Sequence, residues 1–298
     1  MYIYYKVYTS VPHFQVTLFG QSAGAQSTFI HLVSSLSSGL FRAAIVESSP
    51  FAVPYRTKDE ARVLSDRVRE LLKCRERDFD CLLNKTVDEV NDAQQRVSFE
   101  ITGGKFNLYF EPIGPIIDGT DITVQPLSAA RLGKFRDIPT MLGTVSEEGR
   151  LFVYGSWKHV LNKDEYEAAI ALLHPKHFLE VEERYPAVAQ RGHRDQLSQP
   201  TADFLFTCAT RNVSHNLRHH SNASRCVMLR SSGFCLRITW FHTTRRKTKL
   251  TFWSNFAYSM DPNVGPRSSP LINVAQLRTR HKVYNAFSNS SVCRAVGL

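Results

Sequence analysis

Gly20-Gln21-Ser22-Ala23-Gly24 places a serine between two glycines, directly after the apolar run Val16-Thr17-Leu18-Phe19 and before the helical pattern Ala25 to Val33. Strand, G-x-S-x-G turn and helix, in that order, are what a serine nucleophile elbow requires. A serine on so sharp a turn sits in strained backbone, and a Cβ at either flanking position is expected to collide with neighbouring chain. The turn lifts the hydroxyl above the sheet, and the helix N-terminus aims free N–H groups at a developing oxyanion. The chemistry this predicts is acyl transfer to the serine. An ordinary glycine turn is the plainer alternative, and the flanking strand and helix favour the elbow over it.

The elements that must position such a serine follow along the chain. Ala43-Ala44-Ile45-Val46-Glu47-Ser48 reads as a buried strand. Thr57 and Glu60 form a capping box that opens a helix with Leu64, Val68, Leu71 and Leu72 on one face, and Thr86 with Glu89 repeats the device. Ile113 to Gly119 is strand-then-turn chemistry, and Ile138 to Val145 is a second β-rich run starting near Pro139. Helical patterns then cover Lys163 to Leu173, Phe178 to Arg184 and Ala202 to Leu217, and another covers 250–257. Beyond about residue 225 the pattern weakens, and from 264 on no element is predicted. Alternating strands and helices with a helical insertion predict an α/β fold, a mostly parallel sheet covered on both faces.

Composition narrows the function classes. The 298 residues carry a formal charge of +10, much of it local to Arg245-Arg246-Lys247-Thr248-Lys249 and Arg278-Thr279-Arg280-His281-Lys282. Neither stretch comes with zinc-finger spacing, a phosphate-cradling glycine loop or an RNA-binding aromatic signature, so they read as solvated surface and no nucleic-acid partner is predicted. No run approaches the roughly 20 apolar residues of a membrane span. Met1 to Lys6 does not read as a signal peptide. The six cysteines (Cys74, Cys81, Cys208, Cys226, Cys235, Cys293) form no C-x-x-C pair, and neither a metal nor a cofactor is predicted. Sequons at Asn84, Asn212, Asn222 and Asn289 lean towards a secreted glycoprotein.

Taken together, the motifs resemble the type-B carboxylesterases, the cholinesterase and carboxylesterase group of α/β-hydrolases. Val16 to Ala25 resembles that family's serine signature, and Ile116-Ile117-Asp118-Gly119, Pro139 to Thr144, Glu148-Gly149, Thr201 to Phe206, Phe252 to Ala257 and Asp261-Pro262-Asn263 follow in family order. The resemblance implies a partial α/β-hydrolase fold over residues 16–263, with an unmatched stub at 1–15, an unmatched basic stretch at 230–249 and an unmatched tail at 264–298. It implies a small-molecule carboxylic ester as substrate and passage through the secretory pathway. Ser22 matches the nucleophile, Ala23 the residue whose N–H serves the oxyanion, and Glu148 the triad acid that orients the histidine. Glu147 and Glu148 read without it as a solvated charge pair. Cys74 and Cys81 resemble a small disulfide loop of secreted members. Cys208 sits where some members place a half-cystine bonded near the C-terminus, with Cys293 as the implied partner and the pairing of Cys226 and Cys235 open.

Two departures shape the expected activity. The family carries a glycine-rich H-G-G-type loop before the elbow, whereas about fifteen residues precede Val16 here. Its histidine stands in an H-G-x-E-type context between the Asp203 and Trp253 helices. Here His215, His219, His220 and His242 lie in that interval, none followed by glycine, and His242 is the least poor candidate for the base. The expectation is a weakly active or inactive family hydrolase, from a truncated or mis-spliced chain or an incomplete gene reading. The second reading is a non-catalytic cholinesterase-like adhesion or binding module.

Overall fold

The computed structural model describes residues 16–100, 113–188, 192–220, 226–231 and 293–294. Strand β1 (Thr17–Gln21) runs into helix α1 (Ala23–Val33), then β2 (Ala43–Glu47). A two-residue strand β3 (Arg56–Thr57) leads into α2 (Lys58–Leu71), α3 (Phe79–Leu83) and α4 (Val87–Glu100). After β4 (Ile116–Ile117) come α5 (Pro126–Arg131), β5 (Thr140–Val145), α6 (Glu148–Ser156), α7 (Lys163–Leu173) and α8 (Phe178–Arg184). The last stretch is α9 (Arg194–Ala202), a π-helical segment (Asp203–Cys208), α10 (Ala209–His220) and β6 (Cys226–Ser231).

Among the described residues four strands form one parallel sheet in the order β1-β2-β5-β6, and β3 pairs with β4 apart from it. The register aligns Gln21 with Glu47, Glu47 with Gly143, and Val145 with Ser231, so the C-terminal ends of all four strands share one rim. Ala43, Ala44, Ile45 and Val46 are all buried, as expected of a parallel strand covered on both faces. One core joins Phe29 and Leu32 of α1, Val46, Leu142, and Val213 and Leu217 of α10. A second holds the helical insertion together through Val153, Tyr166, Ile170, Leu173, Val181 and Leu197. Among the described residues, no helix is long and apolar enough to cross a membrane.

Local chemistry explains most element starts. In both capping boxes the threonine hydroxyl accepts from the N3 amide while the glutamate carboxylate accepts from the threonine amide: Glu60 N to Thr57 Oγ1 is 3.3 Å and Thr57 N to Glu60 Oε2 is 2.9 Å. The corresponding Thr86–Glu89 distances are 3.2 and 2.8 Å. Asn162 and Glu165 make a third box at the start of α7. Among the described residues two disulfides are present, Cys74–Cys81 between α2 and α3, and Cys208–Cys293, which fastens Cys293 into the second core. Structural disulfides of this kind form in an oxidising compartment.

Two elements depart from the sequence expectation. The pattern predicts a helix from Ala202, yet helical backbone begins at Arg194. Pro200 lies inside α9, lacks the N–H of a helical bond and crowds the carbonyl four residues back, which is why the pattern reads as a break. The irregularity is absorbed downstream, where Asp203–Cys208 widens into π geometry. Strand β6 is not predicted at all. Its apolar residues number only a few before mixed sequence resumes, and it is its six-residue pairing with β5 that makes it a strand. The helix read over 250–257 lies outside the described residues, as do the stub at 1–15 and the tail at 264–298, apart from Cys293 and Arg294.

Among the buried polar groups of the insertion, Asp203 and His174 stand out. Asp203 Oδ2 accepts from the Tyr185 hydroxyl and from Gln199 Nε2, each at 2.7 Å, locking the π segment to the end of α8. His174 caps α7 at 3% exposure, its ring 4.8 Å edge-on to Phe204 and its Nε2 without a hydrogen-bond partner. Burial, helped by His177, holds the ring neutral and pushes its pKa down to about 4 from 6.5. The folded-state pKa is the lower one, so the stability is fully present above pH 6.5 and is lost as pH falls towards 4. There the unfolded chain binds a proton that the folded chain refuses, at a loss of roughly 3 kcal/mol. His174→Phe is expected to flatten the pH dependence of the urea midpoint across that window. An unchanged slope in the variant contradicts the assignment.

Candidate active site

Ser22 stands alone between β1 and α1, with φ 55° and ψ −122°, a left-handed conformation that non-glycine residues rarely hold. Backbone bonds on both sides fix it. Ser22 N donates to Glu47 O at 2.9 Å, and Ser22 O accepts from Ala25 N and Gln26 N at 2.9 and 3.0 Å. Its hydroxyl is not spent on capping α1. Ala23 opens the helix, ahead of the first amides with an intrahelical partner, so its N–H is one of the free donors of a helix N-terminus.

The glycines divide. At Gly20 a Cβ would lie 2.1 Å from Gly24 O and 2.3 Å from Gly24 C, so the strand can pass under the first turn of α1 only without a side chain. At Gly24 no described atom lies within 4 Å of an added Cβ. The expected collision at both flanks therefore holds for Gly20 and fails for Gly24, because the strand approaches the helix from one side only.

Glu148 lies on the same rim, at the first position of α6 and three residues past β5. It is buried, 6% exposed, and its Oε1 accepts from Val145 N at 2.8 Å, curling the carboxylate back over the strand end. The helix N-terminus adds favourable partial charge. Its neighbour Glu147 faces solvent and pairs with Arg150 Nη1 at 3.1 Å. The charge pair of the sequence thus splits into a solvated partner and a buried one. Gly149 lets α6 lie against α9: a Cβ there would be 2.0 Å from Ser198 O. A groove of about 420 Å³ beside Glu147, Leu151 and Tyr154 follows the outer face of α6 and lies off the elbow.

Between Ser22 and Glu148 lies the end of β2. Ser48 N donates to Gly143 O at 2.7 Å, so one backbone bond joins the elbow to β2 and another joins β2 to β5. Two strand spacings separate β1 from β5, about 10 Å. The serine and the carboxylate thus stand on strands two places apart along one rim.

The candidate bases fare unequally. His215, His219 and His220 are exposed on α10, and His220 Nε2 bonds to Arg131 O at 2.9 Å beside Phe135. Those neighbours precede β5, so the pair His219 and His220 sits at the strands' N-terminal end. Six residues of β5, at about 3.3 Å each, put it roughly 20 Å from the elbow's rim. His242 lies outside the described residues, and the chain that carries it leaves β6 at Ser231, level with Val145 on the rim of Glu148. Among the sequons, Asn84 is exposed and Asn212 lies within α10, while Asn222 and Asn289 lie outside the described residues. Among the described residues no group of three or more His, Cys, Asp or Glu side chains is placed to hold a metal.

Comparison with known proteins adds to this geometry. The model of the carboxylesterase family matches residues 13–231. The chain is 37% identical to the cAMP-regulated D2 protein of Dictyostelium discoideum over 198 residues, 66% of this chain and 37% of that protein. It is 33% identical to the crystal protein of the same organism over 199 residues, 66% and 36% of the two chains. Cholinesterase 1 of Branchiostoma lanceolatum is 28% identical over 234 residues, 71% and 64% of the two chains. The chain thus spans little more than a third of the length of the two Dictyostelium proteins.

Proposed function

The chain belongs to the carboxylesterase family, and from that premise we propose that it hydrolyses a small-molecule carboxylic ester slowly, by acyl transfer to Ser22. The observation that carries this is the backbone of Ser22, held at φ 55° in a strand-to-helix turn with a buried Glu148 on the same rim. Ser22 Oγ attacks the ester carbonyl, the Ala23 N–H receives the oxyanion, and the alkoxide leaves with a proton; water then releases the acid. Glu148 holds the bridging imidazole and favours its protonated form. His242, the least poor candidate in the sequence, is the base in this scheme. The hydrolase domain is taken to run over 16–263, and the Cys74–Cys81 disulfide within it and the Cys208–Cys293 disulfide that ties it to the tail support passage through the secretory pathway.

Slow turnover follows from the base, since His242 stands outside the H-G-x-E-type context and a serine without a well-held base is a weak nucleophile. A fluorophosphonate probe tests both parts. The expected result is a slowly formed adduct on Ser22, read by peptide mass, and absent from Ser22→Ala. No adduct on Ser22 at any time sinks the acyl-transfer reading and is the outcome a non-catalytic binding module predicts. Stoichiometric labelling as fast as it can be mixed sinks the slow-turnover part.

A further inference from the structure

The turn after the Cys74–Cys81 loop has no part in the chemistry of Ser22. Helix α3 ends on Asn84, and Thr86 caps the start of α4, so Asn84-Lys85-Thr86 is an N-x-T sequon lying wholly in a connection between helices. Asn84 is exposed, its amide N–H donates to Asp80 O at 3.0 Å, and its side chain takes no part in the hydrogen bonds that form the turn. The nearby disulfide places this segment in an oxidising compartment, where sequons meet the transferase.

The segment around it carries exposed apolar side chains. Phe79 and Leu83, one helical turn apart on α3, are 69% and 82% exposed, and Val87 at the start of α4 is 75% exposed. Three large apolar side chains within nine residues are left to water with Asn84 in their midst. Exposed apolar side chains gathered in one short segment often mark surface that something covers. The other described sequon offers a contrast. Asn212 is inside α10, its Oδ1 bonded to Asn216 Nδ2 at 2.9 Å, and it is flanked by buried Val213 and Ser214, which pack α10 onto the sheet.

We propose that Asn84 carries an N-linked oligosaccharide, which lies over Phe79, Leu83 and Val87, and that Asn212 carries none. The donor is a lipid-linked oligosaccharyl diphosphate. The bond from the sugar's anomeric carbon to the diphosphate oxygen breaks, its electron pair leaving with the phosphate. The same carbon bonds to Asn84 Nδ2, which gives up one proton. The inference rests on the secretory passage proposed above, so the test supplies that passage independently.

The full chain is expressed in a eukaryotic cell behind a cleavable secretion leader, and both secreted and retained protein are collected. Treatment with peptide-N-glycosidase converts each glycosylated Asn to Asp, read in the proteolytic peptides. The expected result is conversion at Asn84 and none at Asn212, with Asn84→Gln losing one glycan's worth of gel mobility and Thr86→Ser keeping it. The glycan-free Asn84→Gln chain is expected to self-associate, and adding Leu83→Lys to restore the monodisperse form. Unmodified Asn84 in the leader-directed chain overturns the proposal, whatever the other sequons carry. Self-association unchanged by Asn84→Gln overturns the covering role.

Discussion

Glu148→Gln is expected to slow phosphonylation of Ser22 by about 10²–10⁴-fold, the range over which a triad acid and general-base catalysis act. Glu147→Gln is expected to leave the rate unchanged. Glutamine is nearly isosteric, and its carbonyl oxygen can keep the 2.8 Å bond from Val145 N, so the turn into α6 survives the change. On the proposed mechanism, what the change removes is the carboxylate at 6% exposure, little screened by water, that would favour an imidazolium over a neutral ring. Glu147 has only its solvated pair with Arg150 to lose, and such pairs are worth roughly 0–1 kcal/mol. Time courses of probe labelling for the two variants, with circular dichroism to confirm equal folding, check the assignment. A slow Glu147→Gln and a normal Glu148→Gln would reverse it.

That contrast marks how far the sequence could be read. The elbow was legible because its signal is local: five residues, an apolar run before them and a helix after them specify one backbone shape. The capping boxes are local for the same reason, and Thr57 and Thr86 bond as their spacing predicts. Glu148 stood out from Glu147 only through the family resemblance, because burial is set by how β5 and α6 fold over each other. Strand β6 was hidden because its pattern is short and its partner is distant in sequence. The open side of Gly24 was hidden because a motif cannot say from which side its neighbours come. His219 and His220 are distant from Ser22 for a topological reason, since a helix returning from the rim of a parallel sheet ends at the opposite one.

Gly149→Ala and Gly155→Ala make the same chemical change on one helix, and their effects on stability are expected to have opposite signs. At Gly155 no described atom lies within 4 Å of the new Cβ, and alanine is the better helix former by up to about 1 kcal/mol. At Gly149 the new Cβ would lie 2.0 Å from Ser198 O and 2.9 Å from Ala202 N, both main-chain atoms of α9. No rotamer change relieves a clash between two backbones, so α6 and α9 must part or the fold must yield. Overpacking of this kind typically costs about 1–3 kcal/mol, and the rigid neighbour puts Gly149 at the upper end or beyond. Parting the helices also shifts Glu148, which accepts a bond from Val145 N and begins the same helix turn. Gly149→Ala is therefore expected to lower the thermal midpoint and slow labelling of Ser22 together, while Gly155→Ala raises the midpoint and leaves labelling alone. If Gly149→Ala labels at the normal rate at a temperature where it is fully folded, the packing of α6 on α9 does not position Glu148 for the proposed role.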